Sequence, residues 1–166
     1  MKILIVHDSR FGNGKSIANA IADGIKARSV QADVAHVSEL DGMDLGSYKG
    51  LVLGWPVHIG GATSASKKAT EKLGLRCADR MFTTFSTSLS ISGGIRSQVK
   101  MISKAKDCGL RYAMDGAAFR VKGFKGPLYD GELERALEFG RSVGEKFKAL
   151  GSQEQGSGIF VEVEKQ

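Results

Sequence analysis

Cysteine is scarce in this chain. Cys77 and Cys108 are the only two, far apart and in no CxxC pair, and they read as reduced structural thiols. With three scattered histidines they provide no metal-ligand spacing. No apolar run is long enough to span a bilayer, so no membrane role is expected. The opening MKILIVHDSR is too short for a signal-peptide core, and no small-residue cleavage site follows it. The expected compartment is therefore the cytoplasm. Aromatics are 7% of residues and are not interleaved with the basic ones, which lie apart at Lys67, Lys68 and Lys72, at Lys100, Lys104 and Lys106, and at Arg120, Lys122 and Lys125. That arrangement argues against a single-strand nucleic-acid platform. The net charge of +6 reads instead as tuning encounters with partners. Internal repeats and domain linkers are also missing.

What is present is an alternation. The 166 residues, 42% of them hydrophobic, suffice for one domain with a real core, expected over 1–150. KILIVH (2–7) and GLVLGW (50–55) are nearly continuous apolar runs, as expected of strands buried on both faces. ADVAHV (32–37), MFTTFS (81–86) and GAAFRV (116–121) are further strands. Between them lie helical patterns. Ile17, Ala20, Ile21, Gly24, Ile25 and Arg28 share one face, and residues 63–73 form a helix capped by Thr63 or Ser64. Ile95, Val99 and Ile102 are in register after Gly93 and Gly94. Residues 130–150 carry a stripe from Leu133 to Phe147, with acidic residues at the start. The tail 151–166 is expected to be flexible, with IFVEVE (159–164) either an extra edge strand or mobile. Strand and helix repeated about five times argue a parallel sheet with helices on both faces. Such sheets bind ligands beyond the carboxyl ends of their strands. The segments placed there are 8–15, 55–62 and 86–94, each rich in Gly, Ser, Thr or Asn.

SRFGNGKS (9–16) joins the first strand to the first helix, and a glycine-rich turn in that place usually faces a phosphate. The triphosphate-binding template G-x-x-x-x-G-K-[ST] fits at Gly14, Lys15 and Ser16, but Ser9 stands where its first glycine belongs. No carboxylate ends a neighbouring apolar strand to hold magnesium. A phosphate monoester needs less: several N–H donors, a few hydroxyls and a helix N-terminus. Ser9, Asn13 and Ser16 offer the polar groups, Gly12 and Gly14 the flexible backbone, and Lys15 and Arg10 the charge.

Three segments together resemble the flavodoxin family. DSRFGNGKSIA (8–18) is similar to its phosphate loop, with Ser9, Gly12 and Asn13 on the pattern and Gly14 where a threonine is usual. LVLGWPVHIGG (51–61) is similar to its third strand and second flavin loop, with Gly54, Pro56 and Gly60 matching and His58 in place of an aromatic. KGPLYDGELERALEFGRSV (125–143) resembles the last helix and its lead-in. The likeness runs through most of residues 1–150. It implies a flavodoxin-like, doubly wound, five-stranded parallel sheet of order 2-1-3-4-5.

The same resemblance implies FMN as a non-covalent cofactor and electron transfer between redox partners as the function. Its phosphate would lie on Ser9, Arg10, Phe11, Gly12, Asn13, Gly14 and Lys15. Its ring would lie between Trp55, Pro56, Val57, His58, Ile59 and Gly60 on one side and Ser86, Thr87 and Ser88 on the other. Peptide groups at Ile59, Gly60 and Gly61 would meet the N5 edge, where glycine makes a peptide flip inexpensive. Trp55 is either a ring-stacking residue or a core aromatic. His58 is either a ring contact or an exposed loop residue, and Phe11 is hydrophobic cover. His7 and His36 read as structural, and Asp8, which would repel a phosphate, is expected to cap the loop or point away. STSLSISGG (86–94) lacks the acids and the aromatic frequent in that family, which implies a less negative lowest potential and an acidic partner. Other readings are an NAD(P)H-dependent quinone or nitro reductase, an interaction module without flavin, and a P-loop nucleotide-binding protein.

Overall fold

The computed structural model describes residues 1–58 and 61–163. In chain order the elements are β1 (Lys2–His7), α1 (Asn13–Lys26), β2 (Gln31–His36), a 3-10 helix (Val37–Gly42), β3 (Gly50–His58), β4 (Gly61–Ala62), α2 (Ser64–Arg76), β5 (Met81–Ser88), α3 (Ile91–Asp107), β6 (Arg111–Tyr112), β7 (Ala117–Arg120) and α4 (Glu132–Val163).

The sheet runs β2-β1-β3-β5-β6, with β7 also on β5 and β4 antiparallel on β3. Every other pairing is parallel. This is the expected winding. The numerals shift because the two-residue β4 intervenes in the chain, and because β6 and β7 share the place expected of one fifth strand. The registers bring His36, His7, Gly54, Phe85 and Ala117 level across the sheet. The loops that follow this row therefore open on one edge.

Side chains alternate along the strands, so two cores form. Ile3, Ile5, Val52 and Phe85 pack with Ile17, Ile21 and Ile25 of α1 and with Ala136, Val143 and Phe147 of α4. Leu4, Val6, Leu51, Leu53 and Trp55 pack on the opposite face with Ala69 and Leu73 of α2 and Met101 and Ala105 of α3. The helices α1 and α4 meet at glycines: a Cβ on Gly24 would sit 2.1 Å from the Leu137 carbonyl oxygen, and one on Gly140 2.1 Å from that of Ile21. No larger residue fits at that crossing.

Four expectations require correction. Arg28 lies beyond the end of α1 and pairs with Glu145 at 2.8 Å instead of joining the buried stripe. Leu133 is exposed as well. On α3, Ile95 and Val99 face outward and the buried face is Gly94, Ser97, Gln98, Met101 and Ala105. The cause is Gln98, whose amide oxygen accepts from Thr84 Oγ1 at 2.9 Å and whose amide nitrogen donates to Ser86 Oγ and to the Ala117 carbonyl, each at 2.9 Å. A satisfied polar side chain, not an apolar one, turns this face to the sheet. Finally, α4 continues to Val163, so the alternative of an edge strand in IFVEVE is replaced by helix over 159–163, and Glu164 lies outside the described residues.

No helix among the described residues is long and apolar enough to cross a membrane.

Candidate functional site

A cleft of about 270 Å³ lies at the carboxyl edge of the sheet. Its floor and walls come from the ends of β1, β3 and β5 and the loops after them.

The first loop is held from within. The Ser9 amide donates to His7 Nδ1 at 3.3 Å, and the Gly12 amide donates to Ser9 Oγ at 3.0 Å. Gly12 has φ +89°, a left-handed conformation that other residues adopt at a cost. No side chain caps α1. The amides of its first turn are thus turned toward the loop without a side-chain acceptor, which suits an anion there. A Cβ on Gly14 would lie 3.3 Å from the Ser9 Cβ, so a threonine at 14 would crowd Ser9. The Ser16 hydroxyl donates to the Gly12 carbonyl at 3.0 Å and faces its own helix.

Asp8 points away, as expected of an acid beside an anion site. It is buried, and its carboxylate accepts hydrogen bonds from the Thr63 hydroxyl and, at 3.2 Å, from the Ser66 hydroxyl. Thr63 in turn caps α2 through the Ser66 amide at 3.1 Å. His36 Nε2 stands 3.8 Å from Asp8, and the His36 ring meets His7 edge to face with centroids 5.3 Å apart. Burial is the first cause that holds His7 below the usual imidazole range, with His36 and Lys15 adding to it.

Of the residues expected at the site, Ser9, Arg10, Phe11, Asn13, Gly14, Trp55, Pro56, Val57, Thr87 and Ser88 line the cleft. Gly12, on the loop, and Lys15, in the first turn of α1, do not line it but stand beside residues that do. Ser86 is fully buried beneath it, engaged by Gln98. Ile59 and Gly60 lie outside the described residues, as does the side chain of His58. Trp55 is 3% exposed and belongs to the core against α2 as well as to the cleft wall. Its Nε1 has no hydrogen-bond partner.

Sequence reasoning missed the contribution of the lead-in to α4. Phe124 lines the cleft beside Phe11, their ring centroids 6.2 Å apart and edge to face. Lys125 Nζ lies 5.8 Å from the Phe11 ring centroid, and the Asn13 side-chain amide donates to the Lys125 carbonyl at 3.2 Å. Phe124 thus brings an aromatic to the cleft from a segment other than 86–94. His7, read as purely structural, also lines the cleft, as do Leu89, Ser90 and Val121.

No protein-family model matches the chain, and no curated protein sequence matches it. Solved structures do. A flavodoxin, WrbA-like protein from Agrobacterium tumefaciens superposes with a TM-score of 0.68 at 19% identity, over 89% of this chain and 98% of that one. Oxidised flavodoxin 2 from Bacillus cereus gives 0.66 at 18% identity, over 90% and 99%. A flavone reductase gives 0.68 at 16% identity, over 91% of this chain and 64% of its own. The chain has the flavodoxin-like fold.

Proposed function

We propose that this chain binds FMN in the cleft at the carboxyl edge and carries electrons between redox partners. The observation that supports it most is the uncapped N-terminus of α1, open beside a cleft between the ends of β3 and β5. The donor set fits a phosphate monoester: first-turn amides of α1, Asn13, and the charges of Arg10 and Lys15. Asp8, the one acid at the cleft wall, is turned into the hydroxyls of Thr63 and Ser66 and so does not oppose the anion. Trp55, Pro56 and Val57 of β3 and, beside them on the neighbouring strand and its loop, Thr87, Ser88 and Leu89 line the part of the cleft where the ring would lie.

When bound, FMN supplies reversible electron uptake and release. The protein's part is to bind, orient and shield. Phe11 and Phe124 cover the mouth and exclude water. His7 braces the Ser9 amide and, as a neutral imidazole, keeps its proton off Nδ1. The charge of the surroundings is set by lysine and arginine, which favours an added electron and suits an acidic redox partner.

A reductase acting on a quinone or nitro compound with NAD(P)H is the second reading, favoured by the structural likeness to a flavone reductase.

The deciding experiment is a titration of the purified protein with FMN, followed by flavin fluorescence. Saturable quenching at one equivalent supports the proposal, and fluorescence that stays that of free FMN overturns it. Steady NADH consumption with a quinone by the loaded protein would move the reading from carrier to reductase.

A further inference from the structure

A second cavity, of about 380 Å³, adjoins the cleft and shares Val57 and Gly93 with it. It lies between α2 and α3, and its charged lining is Lys67, Arg96 and Lys100. Among the described residues no acid lines it and none of the three cations has an ion-pair partner.

One turn further along the two helices the arrangement is different. Lys104 of α3 pairs with Glu71 of α2 at 2.6 Å. Lys67 and Lys100 each precede that pair by four residues, toward the edge where the cleft opens. The interhelical ion pair is thus replaced there by two cations, with Arg96 a third on the same face of α3 as Lys100. Lys67 also stands in the first turn of α2, where a cation opposes the helix dipole. Folding alone gives no reason to gather these charges.

Ser97 is the second observation. It is 7% exposed and lines this cavity, and its buried Oγ has no hydrogen-bond partner among the described residues. An orphaned hydroxyl costs free energy unless something meets it.

We infer that the cavity formed by Lys67, Arg96, Ser97 and Lys100 binds the anionic group, phosphate or carboxylate, of a small molecule whose other end reaches the neighbouring cleft past Val57 and Gly93. The link to electron transfer rests on the FMN reading above; anion binding itself does not. Its size, about 380 Å³, suits a small ligand.

The test is two-dimensional NMR of the protein with excess FMN, titrated with pyrophosphate and separately with citrate. Saturable shifts are expected at the Arg96, Ser97 and Lys100 amides. A response to pyrophosphate alone assigns a phosphate, and one to citrate alone a carboxylate. Arg96→Ala with Lys100→Ala weakens the anion by about tenfold or more, as loss of charge-assisted hydrogen bonds requires, and leaves FMN affinity unchanged. Ser97→Ala weakens the anion yet melts no lower than the parent, because the hydroxyl is unsatisfied without ligand. No saturable shift at these amides with either anion, or shifts unaltered in the double variant, overturns the inference. If FMN fails to bind while pyrophosphate still moves Ser97, the flavin reading falls and the anion site stands. If FMN binds and the anions move only the amides of Asn13 to Lys15, the anion site falls and the flavin reading stands.

Discussion

The Asn13 side chain donates to the backbone carbonyl of Lys125 at 3.2 Å, tying the first turn of α1 to the loop before α4. The residue expected to grip a phosphate is thus also the residue that holds the aromatic cover in place. Asn13→Ala should weaken FMN by about 1–2 kcal/mol through lost hydrogen bonding, and Ser9→Ala should do the same through loss of the hydroxyl and of the Ser9 Oγ–Gly12 amide bond that holds the loop. Fluorescence titration checks both. Unchanged affinity in the pair would mean that the loop does not hold the cofactor.

Protonation of His7 should loosen the same loop. Burial depresses its folded-state pKa below the ordinary imidazole value of 6.5, so between the two values the unfolded chain binds more protons. Its contribution to stability is complete above the unfolded value and is lost as pH falls through the folded one. Urea midpoints should therefore decline from neutral pH toward pH values below 6.5, and the decline should be shallower in His7→Gln. Parallel pH profiles for parent and variant would assign the decline to other groups.

Gly24→Ala should destabilise the protein by about 1–3 kcal/mol or more by overpacking, since the new methyl would press on the backbone of α4. Chemical denaturation reads this directly. An unchanged midpoint would show that α1 and α4 do not approach as closely as 2.1 Å implies.

Glu132 is buried at the start of α4, where its carboxylate accepts from the Arg120 amide at 2.7 Å and from Arg135 Nη1 at 2.8 and 2.9 Å. Glu132→Gln keeps the shape but weakens these charge-assisted bonds, and should cost about 1–3 kcal/mol of stability. Thermal melts at one pH check it. The same melts with added FMN should show the cofactor shift intact, because Glu132 lies outside the cleft.

Much of this was legible from periodicity. The apolar runs at 2–7 and 50–55 and the isoleucines of α1 declare their partners through spacing, and the glycine-rich turn between them lines the cleft at the sheet's carboxyl edge. The rest depended on pairings that spacing does not encode. Gln98 turns α3 by bonding to three residues on two strands, so an apolar count picks the wrong face. Phe124 reaches the cleft from a segment more distant in sequence than any motif spans. Residues 151–156 read as flexible tail by composition, yet they continue α4. There Glu154 meets Arg111 at 2.6 Å and Gly151 packs on Met1, tertiary contacts that outweigh weak helix propensity.

The crossing of α1 on α4 also orders events during synthesis. The helix that carries the phosphate loop leaves the ribosome long before the helix it must lie against, because Gly24 and Gly140 are separated by well over half the chain. Until α4 emerges, the isoleucine face of α1 has only half its cover. The buried face of α1 is therefore completed only after translation passes that point, and a nascent chain stalled before Gly140 would expose its isoleucines to chaperones.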